Sequence, residues 1–240
     1  MLQIERKTIG DSVLLFEDDL LADVSVDMFS ADFWQQQHKV TGQAFGRGVT
    51  TFFQQKGREY VLRHYRRGGL VGKVLHNQYL FTGLHRTRAW QEMHLLKRMH
   101  QWGLPVPKAA AAHICRSGLI YTADIILEKI PLAQDVFSLL EKQPLSPAAW
   151  TTIGAVIKQM HDKQVFHHDL NIHNIMQDVQ GKIWLIDFDK CYIRKGEQWK
   201  NENLQRLLRS LRKERSKNAL FCWQEDHWQW CLSGYQGTNL

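Results

Sequence analysis

At 240 residues, with 44% hydrophobic side chains and a formal charge of +7, the chain is long enough to bury a core and fits one domain or two small lobes. It has no apolar run of about eighteen residues, and "MLQIERKTIGDSVLLFEDD" carries charges where a secretion signal needs an apolar centre, so a cytosolic protein is expected. Cys115, Cys191, Cys222 and Cys231 form no CxxC pair, which argues against a zinc knuckle and a disulfide scaffold. The excess positive charge points to an anionic partner; nucleic acid, an acidic membrane surface and a phosphorylated metabolite satisfy it equally.

In chain order, "SVLLF" reads as a short strand, and "TGQAFGRGVT" is a glycine-rich turn with Gly42, Gly46 and Gly48. "VTTFFQQKGREYVLRHY" reads as two strands joined by a turn at "QQKGRE". In "HRTRAWQEMHLLKRMHQWG", Ala89, Met93 and Leu96 fall at helical spacing, and Gly103 with Pro105 ends the helix. Residues 115 to 130, "CRSGLIYTADIILEKI", read as strands again. The pattern then turns helical, with a boundary near residue 130. In "SPAAWTTIGAVIKQMHDKQ", Ser146 caps, Pro147 suits the first turn, and Trp150, Ile153, Gly154, Ile157, Met160 and His161 share a face. "KIWLIDFDK" is a short apolar strand running into two aspartates. "NLQRLLRSLRKER" places Leu204, Leu207, Leu208 and Leu211 on one side, with Arg206, Arg209, Arg212 and Arg215 largely off it. Trp223, Trp228 and Trp230 read as core or a capping surface rather than a membrane anchor.

Between the long helix and "KIWLIDFDK" stands "VFHHDLNIHNIM", residues 165 to 176. Its three histidines lack the HxxxH or CxxC partners of a zinc site. Aspartate and asparagine are commonest in turns and at strand ends. Here, however, Asp169 and Asn174 form D-x-x-x-x-N and Asp187 follows on a strand, in a set that includes the helix before and the features upstream.

This arrangement resembles the protein-kinase-like fold, whose catalytic loop reads H-R-D-x-x-x-x-N and whose magnesium motif reads D-F-G. The resemblance implies an α+β, two-lobed fold: a β-rich N-lobe over residues 1 to 130 and a short, mainly helical C-lobe over 131 to 240, together one kinase-like domain. It makes Asp169 the carboxylate that orients the attacking hydroxyl and accepts its proton. Magnesium is hard and octahedral, and a carboxylate and an amide oxygen, from Asp187 and Asn174, suit it. Upstream, Gly46 and Gly48 provide backbone able to close over ATP phosphates, although the glycines do not fit G-x-G-x-x-G. Arg63 in "YVLR" stands where the family has the phosphate-gripping lysine, and Glu92 is its natural partner. "IILEKIP" resembles the hinge between lobes, with Glu128 and Ile130 offering backbone groups to adenine.

Three departures narrow the resemblance. His168 replaces an arginine, Asn171 stands where protein kinases often have lysine, and Asp189 replaces the glycine of D-F-G. No A-P-E motif follows Asp187, so a saccharide or other small acceptor is expected rather than a peptide. Through "GRGVTTFF", "YVLRHYRRGGLVGK", "RAWQEMHLL", "FHHDLNIHNIM", "WLIDFDKC" and "NLQRLLRSLRK", the chain resembles the lipopolysaccharide-core kinase family, that of the 3-deoxy-D-manno-octulosonic acid (Kdo) kinases. That resemblance implies transfer of the ATP γ-phosphate to the 4-hydroxyl of Kdo in Kdo-lipid A, by a peripheral protein on the cytoplasmic side of the bacterial inner membrane. The partners it implies are this anionic glycolipid and an anionic membrane surface, and no nucleic acid is expected. Arg63, Arg66, Arg67 and Lys73, with the Arg206 to Arg215 helix, are then candidates to bind acceptor or anionic lipid. A small atypical protein kinase and a pseudokinase or basic binding module are the alternative readings.

Overall fold

The computed structural model describes residues 4–45, 49–66 and 77–237. The chain divides into two compact units, Met1–Lys97 with Lys108–Lys129, and Arg98–Pro107 with Ile130–Leu240. Its class is α+β, as expected, with six α-helices among the described residues.

The first unit opens on a hairpin, β1 (Glu5–Ile9) and β2 (Ser12–Phe16). A 3-10 turn over Val26–Phe29 and the short helix α1 (Ala31–Gln36) lead to β3 (Val40–Phe45), β4 (Val49–Gln55) and β5 (Arg58–His64). There follow β6 (Tyr79–Leu80), the helix α2 (Arg88–Gln101), β7 (Ala109–Ser117) and β8 (Ile120–Glu128). These strands form one antiparallel sheet in the order β1-β2-β7-β8-β5-β4-β3, with β6 on β8. The turn expected at "QQKGRE" joins β4 to β5 through Lys56 and Gly57, both at positive φ.

Alternation along the strands places Phe53 opposite Tyr60, and Phe53 stacks on both Tyr60 and Trp34 of α1 in a buried aromatic group. The Trp34 indole N–H donates to the Met28 carbonyl at 2.7 Å, satisfying its one polar atom. Neither the 3-10 turn nor α1 was legible beforehand, because six residues are too few for a helical period to show. The same sheet buries a polar chain: Ser12 Oγ lies 2.9 Å from His113 Nε2, and His113 and His64 both contact the Asp124 carboxylate.

A second departure concerns Ala109–Ala112. Four alanines favour helix by propensity, and the strand was expected only from residue 115. All four are buried in β7, between β2 and β8. A central strand favours small side chains where other parts of the unit pack tightly over it, and packing overrides the weak local preference.

In the second unit, β9 (Gln134–Asp135) leads into α3 (Val136–Leu140), whose N-cap Asp135 accepts from Ser138 N–H at 2.9 Å. Next comes α4 (Pro147–Asp162), with Ser146 accepting from Ala149 N–H at 3.2 Å and proline in the first turn, as expected. β10 (Val165–Phe166), β11 (Ile175–Gln177), β12 (Ile183–Leu185) and β13 (Tyr192–Ile193) follow, then α5 (Gln198–Lys217) and α6 (Glu225–Gln236). The strands make two small sheets, β10-β13 and β12-β11-β9. The α4 face expected from sequence is buried along its length, as are Leu204, Leu207, Leu208 and Leu211 of α5. Trp223 and Trp228 are buried too, which is the core role expected of the tryptophan cluster.

His161 has no exposed surface, and Tyr235 Oη and Asn203 Oδ1 lie 2.8 and 3.3 Å from its ring nitrogens. Burial pushes its pKa down to about 4, although the Asn203 hydrogen bond favours the charged form. Above about pH 6.5 the imidazole is neutral in folded and unfolded chains alike. Between there and pH 4 the unfolded chain binds a proton that the folded one does not, so stability falls as the pH falls. A shift of this size corresponds to about 3 kcal/mol at ~1.36 kcal/mol per pH unit. In urea melts from pH 7 to 4, the loss of stability in the wild type should exceed that in His161→Gln by about this amount; equal slopes would contradict the assignment.

Candidate active site

The stretch from His167 to Asn174 is the loop between β10 and β11. Its last three residues form a 3-10 turn capped by Asn171, whose Oδ1 accepts from His173 N–H at 2.9 Å. The β11–β12 hairpin pairs Ile175 with Leu185, and the next rung joins Ile186 N–H to the Asn174 carbonyl at 3.0 Å. Asn174 therefore enters the hairpin across from the residue that precedes Asp187. At Asp187 the chain leaves strand geometry, with a φ of 64°. Non-glycine residues rarely adopt that conformation, and aspartate is one of the few that tolerate it.

His167 ties the loop to this strand end. It is wholly buried, its Nε2–H donates to the Ile186 carbonyl at 3.0 Å, and its Nδ1 accepts from Asp169 N–H at 3.2 Å. Burial lowers its pKa, against the pull of that Ile186 bond, so the ring is neutral and serves as a two-ended brace. Phe188 packs on it at 4.8 Å between ring centroids, and Cys191 Sγ accepts from His168 N–H at 3.3 Å.

Helix α5 runs beside the loop and holds it in register. Asn203 Oδ1 accepts from His167 N–H at 3.1 Å while its Nδ2 donates to the His167 carbonyl at 3.0 Å. Arg206 Nε donates to Asp169 Oδ1 at 3.1 Å, and Nη2 reaches the same oxygen. Ser210 Oγ accepts from Ile172 N–H at 3.1 Å, and Glu214 lies 3.6 Å from His173. Four residues on one helical flank so read successive parts of the loop. Burial would raise the Asp169 pKa, but hydrogen bonding and charge from Arg206 outweigh it and hold the carboxyl below the usual range. Asp169 is ionised at neutral pH, a weak base but a fixed hydrogen-bond acceptor.

For a metal, the donor set fits a small hard cation. Asn174 is buried and commits its Nδ2 to the Asp169 carbonyl at 2.9 Å, which leaves the amide oxygen as the ligand end. The carboxylate of such a pair would come from Asp187. No cluster of three or more histidine, cysteine, aspartate or glutamate side chains suited to a metal occurs among the described residues, so any ion held by this pair would draw further ligands from water and substrate phosphates.

The first unit carries the other expected residues. Arg63 of β5 donates to Glu92 Oε1 of α2 at 2.5 Å, and Tyr65 donates to Glu92 Oε2 at 2.6 Å. Glu92 is buried, so these donors offset the desolvation of its charge. The Glu128 N–H is engaged by the Lys108 carbonyl at 2.8 Å in this unit, and Ile130 begins the last segment of the second. Gly46, Gly48, Arg67 and Lys73 lie outside the described residues. On the basic helix, Arg212 makes a two-point pair with Glu225 and Arg215 donates to the Ala219 and Phe221 carbonyls. Those two arginines are therefore less available to an anionic ligand than their spacing suggested. Among the described residues Arg209 and Lys213 form no ion pair.

What the sequence did not reveal is the α5 contact set. Asn203, Arg206 and Ser210 stand at i, i+3 and i+7, and that spacing was the signal; they were eclipsed by the leucines between them. Tyr65, too, was missed, because a tyrosine two residues after Arg63 reads as one more strand aromatic. No helix among the described residues is long and apolar enough to cross a membrane.

A profile of the lipopolysaccharide kinase (Kdo/WaaP) family matches residues 31–235. A protein of Vibrio vulnificus named 3-deoxy-D-manno-octulosonic acid kinase is 43% identical over 98% of this chain and 100% of its own. Proteins of the same name from Photobacterium profundum and Vibrio cholerae are 46% and 47% identical, covering 97% and 85% of this chain and 98% and 87% of theirs. The solved structure of the Cydia pomonella granulovirus kinase, PK-1, aligns with 66% of this chain and 54% of its own at 14% identity and a TM-score of 0.44, a likeness too loose to bear on the reaction. The profile and the relatives together span the loop, the hairpin and α5 as well as the sheet, and the chain therefore belongs to the lipopolysaccharide kinase (Kdo/WaaP) family, phosphotransferases with an alcohol as acceptor.

Proposed function

We propose that this protein transfers the γ-phosphate of ATP to the 4-hydroxyl of Kdo in Kdo-lipid A, as a peripheral protein on the cytoplasmic side of the bacterial inner membrane. The observation that carries the reading is the near full-length identity to relatives named as kinases of this sugar acid. The organisation that goes with it is one protein-kinase-like domain, with residues 1 to 130 as N-lobe and 131 to 240 as C-lobe.

Asp169 accepts a hydrogen bond from the acceptor hydroxyl and aims its oxygen at the γ-phosphorus. As that oxygen bonds to phosphorus, the bond from phosphorus to the ADP oxygen breaks and the proton passes to Asp169. The depressed pKa of Asp169 makes it a poor proton abstractor but a firm orienting group, which suits a loose transfer with late proton movement. Asn174 and Asp187 would hold magnesium, which would supply charge neutralisation on the phosphate oxygens. Arg63, paired with Glu92, is assigned to phosphate together with Gly46 and Gly48, and the Glu128 carbonyl and the Ile130 backbone are assigned to adenine. Kdo carries a carboxylate and lipid A carries phosphates, so Arg66, Arg67, Lys73 and Arg209 are the cations assigned to acceptor and anionic lipid.

Incubation with Mg-ATP and Kdo-lipid A, read by mass spectrometry, should show one added phosphate on the sugar. Phosphate on serine or threonine of a partner protein, with none on the glycolipid, would decide for an atypical protein kinase instead.

A further inference from the structure

We infer that Arg206 is the positioning residue of the transfer step: from α5 it supplies the cation that the catalytic loop itself lacks, and it fixes the Asp169 carboxylate for the acceptor hydroxyl. This rests on the reading of Asp169 as the orienting base. Four observations carry it.

First, both donors of Arg206, Nε and Nη2, converge on one oxygen, Oδ1. Two contacts on one oxygen fix where Oδ1 lies and leave Oδ2 unengaged by this guanidinium. Oδ2 is then the oxygen assigned to the hydroxyl. Second, the loop has no lysine or arginine of its own from His167 to Asn174. The residue two after Asp169 is Asn171, and its amide is committed locally: Oδ1 to His173 N–H, and Nδ2 to the Asp169 carbonyl at 3.0 Å. Third, the backbone that carries Arg206 is held against the loop. Its helix is anchored on the loop one turn earlier by Asn203 and one turn later by Ser210, so the guanidinium is delivered from a fixed backbone. Fourth, the pair is half-exposed, with side-chain exposures of 46% for Arg206 and 34% for Asp169, so its formation adds little to folding.

The physical need is plain. An aspartate that must stay close to a polyanionic nucleotide is repelled by it, and an unrestrained carboxylate would turn away. A guanidinium on one oxygen opposes that repulsion and leaves the other oxygen for the substrate. In the step itself the acceptor O–H gives its proton to Asp169, its oxygen bonds to the γ-phosphorus, and the electron pair of the broken phosphorus–oxygen bond leaves with ADP; Arg206 gains and loses nothing.

The test compares the full-length wild type with Arg206→Gln and Arg206→Lys. With Mg-ATP and Kdo-lipid A, Arg206→Gln should lose about 100-fold in kcat. Its KM for both substrates should stay within about twofold, and its Mg-ATP affinity by calorimetry and its thermal transition should be unchanged. Arg206→Lys should recover kcat to within about tenfold of wild type, because it restores the charge without the two-point hold. A kcat within about threefold of wild type in Arg206→Gln would overturn the inference, as would a loss expressed only as a raised acceptor KM, which would make Arg206 a reader of the acceptor's anionic groups. Wild-type transfer to Kdo-lipid A tests the substrate reading separately. Slow hydrolysis of Mg-ATP by water, which calls on the same Asp169, carries the Arg206 comparison whatever the acceptor: a drop in Arg206→Gln supports the assignment and an unchanged rate overturns it.

Discussion

Asp169→Asn should lower kcat by about a thousandfold, with Mg-ATP affinity and the thermal transition close to wild type. Asparagine keeps the size of the side chain and can still accept a hydrogen bond through its oxygen. It has lost the negative charge that Arg206 holds and the capacity to take the hydroxyl proton. The fold should survive, because the carboxylate is partly exposed and the loop is braced by other groups: His167 on Ile186, Asn203 on His167 and Ser210 on Ile172. Turnover within about tenfold of wild type would remove Asp169 from the mechanism, since positioned acid–base groups contribute roughly 10²–10⁴-fold. Single-turnover measurements with saturating Mg-ATP would confirm that the loss lies in the transfer step rather than in binding or product release.

Gly154→Ala should destabilise the second unit by about 3 kcal/mol or more. Helices α4 and α6 cross at two glycines. A Cβ placed on Gly154 would sit 1.9 Å from the Cys231 carbonyl oxygen, and one on Gly234 would sit 1.9 Å from the Thr151 carbonyl oxygen. In both cases the obstacle is backbone, so no side-chain rotation relieves it, and the helices must move apart. That movement would loosen contacts around Trp150, Ile153 and Trp228, which are buried. For a chain of this length the corresponding fall in Tm is on the order of 10 °C. Urea or thermal unfolding of Gly154→Ala beside wild type measures it; a transition at the wild-type midpoint would show that the helices do not approach this closely. Kinase activity below the transition should persist, because the glycine contact is separate from the loop.

Much of the candidate site was legible in the sequence for one reason: the residues assigned to it are close together in the chain and separated by spacings that a loop and a hairpin enforce. Asp169 and Asn174 sit on one loop, and Asp187 follows across the β11–β12 hairpin, so local geometry alone brings Asn174 and Asp187 to the same end. The partnership of Arg63 with Glu92 was also foreseen, though it spans 29 positions, because a cation on a strand and a carboxylate on the next helix are a pattern that resemblance makes recognisable. Gly154 was placed on the buried face of its helix by period, yet its role in the crossing was not, because the partner glycine lies on a helix that had not been recognised.

The sequence by itself determined the long helices α4 and α5, the hairpin at Gly57 and the loop that holds Asp169 and Asn174, because each depends on periodicity or turn chemistry acting over a few neighbouring residues, while the α+β class came through the resemblance. Only the tertiary structure decided that four alanines extend as a central strand, that Trp34 joins the sheet's core, and that Arg206 meets Asp169. Each of these outcomes rests on which surfaces meet across tens of residues. Burial and charge pairing between distant segments are energies of the folded arrangement, and a local window of the chain contains no term for them.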